Sequence, residues 1–571
     1  MSEDAVTSIG TKRAVSPTHT VTAEASAAGT AQKRVKSQCV RSRKPRQVRK
    51  ANAEESVLDA VELLLKETWL SNCAPSRTTE LPSAFGWSAG DQQGEALFCR
   101  NPPVPAKLAG GELTECELDV YVHELTERGM GIATRESPEE LRELVSRGGR
   151  PWVFTVPFTL SGERARVRSV RHEWGYTQAD LLGIGEQSPL RVVAPCKYYG
   201  ECSGCQLQHL GYEDQLRFKH QVVQRAFTHA NPLFASLTVL PVVHSPLRLG
   251  YRTKLTPHFD VHKHNQLSEQ VPIGFTRSGQ RRVLDIEDCI IGTDAVRRGF
   301  VDARKEARTK MSMYKRGATL LVRETNVTRE DGVDIAAVPA SELIKTYTLD
   351  PKSWVTDVVG NLKFRYPASS FFQNNASILP AFTGYVRDEL KKWSRILSAS
   401  ESSAGGLRTL IDAYCGSGLF GIACHMGFER VLGIEISRES ISCADYNAKI
   451  NDVENAEFIL GDASKIFERV GANSDKTAVI IDPPRKGSSP DFLDQLIAYG
   501  PRVIVYIACG VPAQARDLQH MYSRGAISVD GLAASTETKP EAVYRIEGIQ
   551  PFDLFPQTFH VENIVTLVRE V

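Results

Sequence analysis

Ile411-Asp412-Ala413-Tyr414-Cys415-Gly416-Ser417-Gly418-Leu419-Phe420-Gly421 is the stretch on which the fold turns. A short apolar run ends in Gly416, Gly418 and Gly421, a G-x-G-x-x-G between a predicted strand and a predicted helix. Glycines there let the backbone turn tightly and approach a ligand closely. Seventeen residues after Gly418 the next apolar run ends in Gly433-Ile434-Glu435. An acid at the tip of a second strand can accept both hydroxyls of a ribose. NAD and S-adenosylmethionine fit this pair of features equally well, as does a purely structural strand-turn-helix. Outward from it the rhythm continues through AEFILGD, AVIIDPP and RVIVYIAC. Strands alternating with helical stretches predict an α/β, Rossmann-like open parallel sheet with helices on both faces.

Two later strands separate the alternatives. The third run closes on Gly461-Asp462, which places an acid where an adenine amine would sit. The fourth is followed by Asp482-Pro483-Pro484-Arg485, a turn that hydride chemistry does not need. Asp-Pro-Pro at that place resembles the substrate-base turn of nucleic-acid methyltransferases. Amino-methylating relatives carry an aromatic as the fourth residue; Arg485 points to a different atom of the base. The fifth run leads into Ala508-Cys509-Gly510. Ligands of open α/β sheets bind beyond the carboxyl ends of the strands, so Cys509 shares a rim with Gly416, Glu435 and Asp482. A thiolate there can act as a nucleophile.

Uracil chemistry asks for such a group. Carbon 5 becomes nucleophilic only after a thiolate adds to carbon 6, and a base must then remove the carbon-5 proton. The C-terminal FPQTFHVE (555–562) supplies two candidates, His560 and Glu562, and Asp482 can bond the ring imide.

FFQNN (371–375), DAYCGSGLFGI (412–422), GIEIS (433–437), DPPRKG (482–487), YIACGVPAQARDL (506–518) and FPQTFHVE together resemble the RNA 5-methyluridine methyltransferases, over about residues 112–571. The resemblance implies a class I fold, S-adenosyl-L-methionine as methyl donor and transfer or ribosomal RNA as partner. It leans to the T-loop uridine of tRNA, with a non-catalytic RNA-binding protein of the same fold as the alternative. It makes Cys509 the nucleophile and Glu562 the base. It assigns Gln373, Tyr414, Glu435 and Asp482 to cofactor or base, beside Gly416, Gly418 and Asp462 from the loop and strand reading above. The chain departs from the family at Gly510-Val511-Pro512, where Asn-Pro is usual, at Leu419, often Asn, and at Gln557, often His.

Cys196-x5-Cys202-x2-Cys205, with Cys289 well downstream, can hold a structural zinc or a four-iron cluster. The resemblance of CKYYGECSGCQLQH and DIEDC to a cluster-bearing subgroup implies a structural [4Fe–4S] site. Residues 112–190 read as a small β-barrel similar to the RNA-binding TRAM domain. Within it Arg164, Arg166 and Arg168 alternate onto one strand face, where a basic stripe would meet phosphates. Tyr251-Arg252-Thr253-Lys254 is a second basic candidate.

The 571 residues are 42% hydrophobic and 24% charged, an ordinary globular composition. The formal charge of +1 hides an asymmetry. Residues 1–50 hold 11 Lys/Arg against 3 Asp/Glu. RNA affinity of the body must therefore come from local patches. Residues 33–50 contain nine basic residues and no acid, suited to nuclear import or RNA contact. No apolar run approaches the ~18 residues of a membrane helix, and no secretory signal is evident. We expect a basic disordered tail and linker with a short helix over 1–110, the barrel over 112–190, a mixed α+β central domain with the Cys cluster over 191–355, and the catalytic domain over 356–571. We further expect a monomer in nucleus or cytoplasm that contacts no membrane.

Overall fold

The strand run anticipated around the glycine loop is a sheet built from β6 (Thr409–Ala413), β7 (Arg430–Glu435), β8 (Ala456–Leu460), β9 (Thr477–Ile481), β10 (Val503–Ala508), β11 (Ile527–Val529), β12 (Leu532–Ala533), β13 (Tyr544–Phe552) and β14 (Glu562–Arg569). The computed structural model describes residues 117–570, apart from 150, 174–175, 262–270, 401–404, 462–470, 535–539 and 541. The basic tail, the helix expected over 54–70 and Asp462 therefore lie outside the described residues. Among the described residues the strand order is β8-β7-β6-β9-β10-β14-β13-β11-β12. β8 through β10 run parallel, and β14 enters antiparallel beside β10. The order reverses between β6 and β9, and ligands of such sheets sit at the carboxyl ends at that switch point.

β9 (TAVII) and β10 (VIVYIA) are buried along their whole length, as parallel strands covered on both faces must be. Alternate residues supply two cores. Ile411, Val479, Ile504 and Tyr506 pack with Phe218 and Val222 of α1 (Tyr212–Ala230) and Leu518 and Met521 of α3 (Val511–Ser523). Leu410, Ile480, Val503 and Val505 pack on the other side with Phe382, Val386 and Leu390 of the helix Leu379–Ser400. The five-residue α2 (Leu419–Ala423) follows the glycine loop.

Among the described residues β1 (Glu117–Leu125), β2 (Met130–Thr134), β3 (Val153–Pro157), β4 (Arg164–Glu173) and β5 (Tyr176–Glu186) close a barrel in the order β1-β2-β3-β5-β4. Leu118, Val120 and Val122 alternate inward and meet Ala165 and Val167. That alternation puts Arg164, Arg166 and Arg168 outside, as expected, but the stripe is not free. The β1–β4 register sets Glu117 against Arg168 and Asp119 against Arg166. Arg168 pairs with Glu117 at 2.9 Å, Arg166 with Asp119 at 3.1 Å and Arg164 with Glu186 at 3.4 Å. Opposite charges across a ladder stabilise the sheet instead of waiting for phosphate. The barrel joins the remainder through Leu125 and Leu160, which belong to the same core as α1.

Candidate active site

The glycine loop is held from below and from the side. Tyr414 takes a left-handed φ of 67° and Gly418, at φ 89°, caps α2. A Cβ at Gly418 would lie 2.9 Å from Ile422 and 3.2 Å from Phe458, so only glycine fits. The Tyr414 ring packs edge-on to Phe492 at 5.5 Å. Glu435, at the tip of β7, accepts from Gly416 N at 3.2 Å and from Ser437 N at 2.9 Å, which fixes it over the loop. Beneath them Asp412, wholly buried, accepts from Gly421 N at 2.7 Å. Its other oxygen has no partner among the described residues. Burial pushes Asp412 up to about 7, with Asp482 and Glu435 near enough to add to the shift. Asp412 therefore sits between the loop acid and the base-turn acid, a place the sequence reading did not give it.

The antiparallel pairing of β10 with β14 assembles the reactive groups. The ladder ends at Ala508 opposite Asn563, so Cys509 follows β10 just where Glu562 begins β14, and Glu562 acts on the Cys509 thiol. The β9 end adds Asp482 and Arg485. Glu562 is buried, and burial holds it well above the usual carboxylate range, with Asp482 adding to the effect and Arg485 opposing it. Burial raises Asp482 to about 7. The half-buried Cys509 thiol is pushed up to about 12, first by burial, then by Glu562 and Asp482. Arg485 opposes that shift through its charge and a hydrogen bond to the sulfur. His560 is driven down to about 4 by burial and by surrounding cations, so it is a neutral imidazole.

Much of the support comes from residues that sequence reasoning missed, Asp517, Gln514, Gln215, Lys219 and Asp553 among them. Asp517 of α3 accepts from Ser488 N at 2.7 Å and from the Tyr506 hydroxyl at 2.5 Å, docking the DPPRKG turn on the sheet. Gln514 donates to Tyr506 O at 2.9 Å and accepts from Asn563 at 2.8 Å, locking β10 to β14 beside the Cys509–Glu562 pair. Gln557, with φ 71°, accepts at its carbonyl from Gln206 N and Leu207 N, both at 3.0 Å. Its side-chain oxygen and its N–H bond Gln215 of α1 at 3.1 and 3.0 Å. That reciprocal pair gives a physical reason for Gln in place of the family's His. Lys219 and Asp553, both fully buried, form an ion pair, and Lys219 also donates to Phe555 O at 3.0 Å. Gln373 is buried next to Asn374 and Asn375; Asn374 O accepts from Thr253 N at 2.9 Å, and Asn375 donates to Leu554 O at 3.0 Å. FFQNN is thereby tied to the segment that leads to Glu562.

Cys196, Cys202, Cys205 and Cys289 are free thiols close enough to perturb one another. Burial pushes Cys205 and Cys289 up to about 12, and the neighbouring thiols add to it. Among the described residues, however, no group of three or more His, Cys, Asp or Glu side chains is arranged to hold a metal ion. The four thiols are gathered without forming a single-ion cage. No helix of the described residues is long and apolar enough to cross a membrane.

A sheet with this strand order, a glycine loop at its switch point, an acid on the second strand tip and a Cys–Glu–Asp group on the same rim defines a class I methyltransferase. The family model described as tRNA (Uracil-5-)-methyltransferase matches residues 355–570. A Saccharomyces cerevisiae protein named tRNA (uracil(54)-C(5))-methyltransferase is 36% identical, over 79% of this chain and 73% of its own length. A Schizosaccharomyces pombe protein of the same name is 39% identical, over 74% of each chain. The structure of Pyrococcus abyssi tRNA (uracil-54, C5)-methyltransferase in complex with S-adenosyl-L-homocysteine has the same fold, with a TM-score of 0.51 at 21% identity. It is covered completely and spans 79% of this chain. The chain belongs to the tRNA (uracil-5-)-methyltransferase family, whose members are S-adenosylmethionine-dependent enzymes.

Proposed function

We propose that this enzyme makes 5-methyluridine at position 54 of the tRNA T-loop, through a covalent adduct between Cys509 and uracil carbon 6. The observation that carries the reading is the desolvated group of Cys509, Glu562, Asp482 and Arg485 at the rim that also holds the glycine loop. The position within tRNA rests on the names of the yeast relatives.

Gly416, Gly418 and Tyr414 shape the seat for the cofactor, with Glu435 on its ribose and Asp462, outside the described residues, on its adenine. Gln373 borders the base. Bound S-adenosylmethionine supplies an electrophilic methyl on a sulfonium. Arg485 stabilises the Cys509 thiolate, which adds to carbon 6 and shifts the carbon 5–carbon 6 electron pair toward the carbon-4 oxygen. Asp482 holds the ring imide as that charge develops. Carbon 5 takes the methyl and the methyl–sulfur bond breaks. Glu562 then removes the carbon-5 proton, the double bond re-forms and the thiolate leaves.

Cys196, Cys202, Cys205 and Cys289 lie close enough to perturb one another, and the choice of a cluster over zinc rests on the resemblance of their sequence context to the cluster-bearing subgroup. We assign them a structural [4Fe–4S] centre, held by thiolates and taking no part in methyl transfer. The barrel serves as a TRAM-like RNA-binding domain on a monomeric enzyme. The basic segment 33–50 serves non-specific RNA contact or nuclear entry, which puts the enzyme in the nucleus, the cytoplasm or both.

Glu562→Gln tests the chemistry. The thiolate still adds and the methyl still moves, but the carbon-5 proton has no acceptor. With labelled cofactor and a tRNA transcript, the variant should accumulate a labelled protein–RNA band that survives denaturing electrophoresis. Adding Cys509→Ala should abolish that band. Normal turnover by Glu562→Gln would remove Glu562 as the base and leave His560 next. Methylation by Cys509→Ala would end the covalent mechanism.

A further inference from the structure

Three segments, each bearing an arginine, meet around the loop that ends in Glu562. The first is the β1–β2 turn of the barrel. Thr126, almost wholly buried, ties it down: Thr126 N donates to Met130 O at 2.8 Å, and the Thr126 hydroxyl accepts from Arg128 N at 3.3 Å and Met130 N at 3.2 Å. A Cβ at Gly129 would come within 2.9 Å of Leu207, so the turn lies directly on Leu207, the residue whose N–H bonds Gln557 O. Arg128 thus projects from a rigid turn one residue from that contact. Its side chain is 42% exposed, and its ion pair among the described residues is a loose 3.9 Å contact with the adjacent Glu127.

The second is Tyr251-Arg252 of the central region. The Tyr251 hydroxyl donates to Pro556 O at 3.0 Å, which places Arg252 beside the same loop. Arg252 Nε bonds Lys254 O at 3.1 Å, and no carboxylate pairs with its guanidinium among the described residues. The third is Arg485, exposed at the Cys509 turn; a Cβ on Gly510 would lie 2.6 Å from its carbonyl oxygen. Among the described residues, Arg128 and Arg252 therefore lack a strong partner, and they come from separate parts of the chain. The barrel's own outer arginines behave oppositely, each matched to an acid. The depressed basicity of His560, to which Arg485, Arg252 and Arg128 all contribute, agrees with this convergence.

We propose that Arg128 and Arg252 form a phosphate collar that grips the RNA backbone on both sides of the uridine presented to Cys509, while Arg485 stays with the thiolate. The barrel is then one jaw of the active site, and its outer basic face is not the gripping surface. The inference rests on the reading of this site as an RNA uracil methyltransferase. A base attacked at carbon 6 must leave its stack, which bends the chain and brings its flanking phosphates to the pocket mouth. Guanidinium forks match phosphate geometry in two parallel hydrogen bonds.

The test uses the full-length protein and an unmodified tRNA transcript. Arg128→Ala, Arg252→Ala and their double variant are compared with Arg128→Lys and with Arg166→Ala. Each lost phosphate contact should reduce the slope of log K against log salt by about 0.7–0.9. KM for RNA should rise about tenfold for each single variant at moderate salt, by more than kcat falls, and further for the double. Arg128→Lys keeps the charge and should keep the slope, as should Arg166→Ala, whose partner is Asp119. Thermal melting of the Arg128 variants should stay close to the parent, since its ion pair among the described residues is the loose 3.9 Å contact with Glu127. A parent enzyme that methylates the transcript while Arg128→Ala and Arg252→Ala retain its slope and KM would overturn the collar alone. A parent enzyme that leaves uridine unmodified would overturn the underlying function.

Discussion

Lys219 and Asp553 are 334 residues apart in sequence and both are fully buried, so their ion pair stands or falls as a unit. Lys219→Met removes the ammonium with little change in volume. It leaves the Asp553 carboxylate with the Tyr212 hydroxyl at 2.8 Å, and it leaves Phe555 O without its 3.0 Å donor. Breaking a buried pair from one side costs about 3–5 kcal/mol, because the remaining charge is uncompensated. A domain of the size of the matched region loses about 2–4 °C of melting temperature per kcal/mol, which gives a drop of roughly 6–20 °C. Lys219→Met with Asp553→Leu removes both charges and should recover most of it. The assay is differential scanning fluorimetry of the full chain at pH 7.5, alongside methylation measured well below the transition. Because Lys219 also anchors Phe555 at the head of the loop to Glu562, the single variant should lose turnover before it loses cofactor binding. A single variant melting within 2 °C of the parent would refute the reasoning. A double variant as unstable as the single would locate the cost in packing rather than in the orphaned charge.

Gly487 has φ 82°, and a Cβ there would meet Asp517 at 2.7 Å; Gly487→Ala should cost about 1–3 kcal/mol, displace the DPPRKG turn and lower kcat at least tenfold, a prediction that unchanged kcat would defeat. Asp482 titrates near 7 in the folded protein, above the ~3.9 of an unfolded Asp, so its burial increasingly opposes folding as pH rises from about 4 through 7. Asp482→Asn should therefore melt higher than the parent at pH 8, coincide with it near pH 4 and be inactive at both; equal melting at pH 8 would contradict the assigned environment. Protein purified without oxygen should carry about four irons and absorb near 400 nm, with both lost in Cys289→Ser, whereas one zinc and no iron would refute the cluster.

What the sequence made legible was local. The glycine loop, Glu435, Asp482 and Cys509 each lie at the end of an apolar run, and parallel topology brings such ends to one rim. Glu562 needed more: chemistry left His560 and Glu562 as candidate bases, and the β10–β14 pairing that brings the start of β14 to the end of β10 is a non-local fact. The arginine stripe shows the same limit. Alternation put Arg164, Arg166 and Arg168 outward, yet nothing along β4 announces that β1 would bring Glu117 and Asp119 across from them. Gln557 was visible as a departure from its family, and its partner Gln215 is 342 residues away. Asp412 was hidden by its position, since an acid inside an apolar strand gives no periodic signal until its oxygen is found under Gly421.

The same burial that gathers these groups also silences them. Burial, then Glu562 and Asp482, push the Cys509 thiol up to about 12, which favours the protonated thiol at neutral pH. Arg485 alone has not offset them. A second unit charge about 5 Å away contributes roughly 3 kcal/mol at an effective dielectric of 20, or about two pKa units. A methyl donor held by the glycine loop and Glu435 would bring its sulfonium to the rim shared with Asp482. On the proposed chemistry, Cys509 therefore gains thiolate character when the cofactor seat is filled. Glu562 gains ionisation from the same charge, which readies the base. On this chemistry, the acids that hold the Cys509 thiol protonated are also the ones the later steps use.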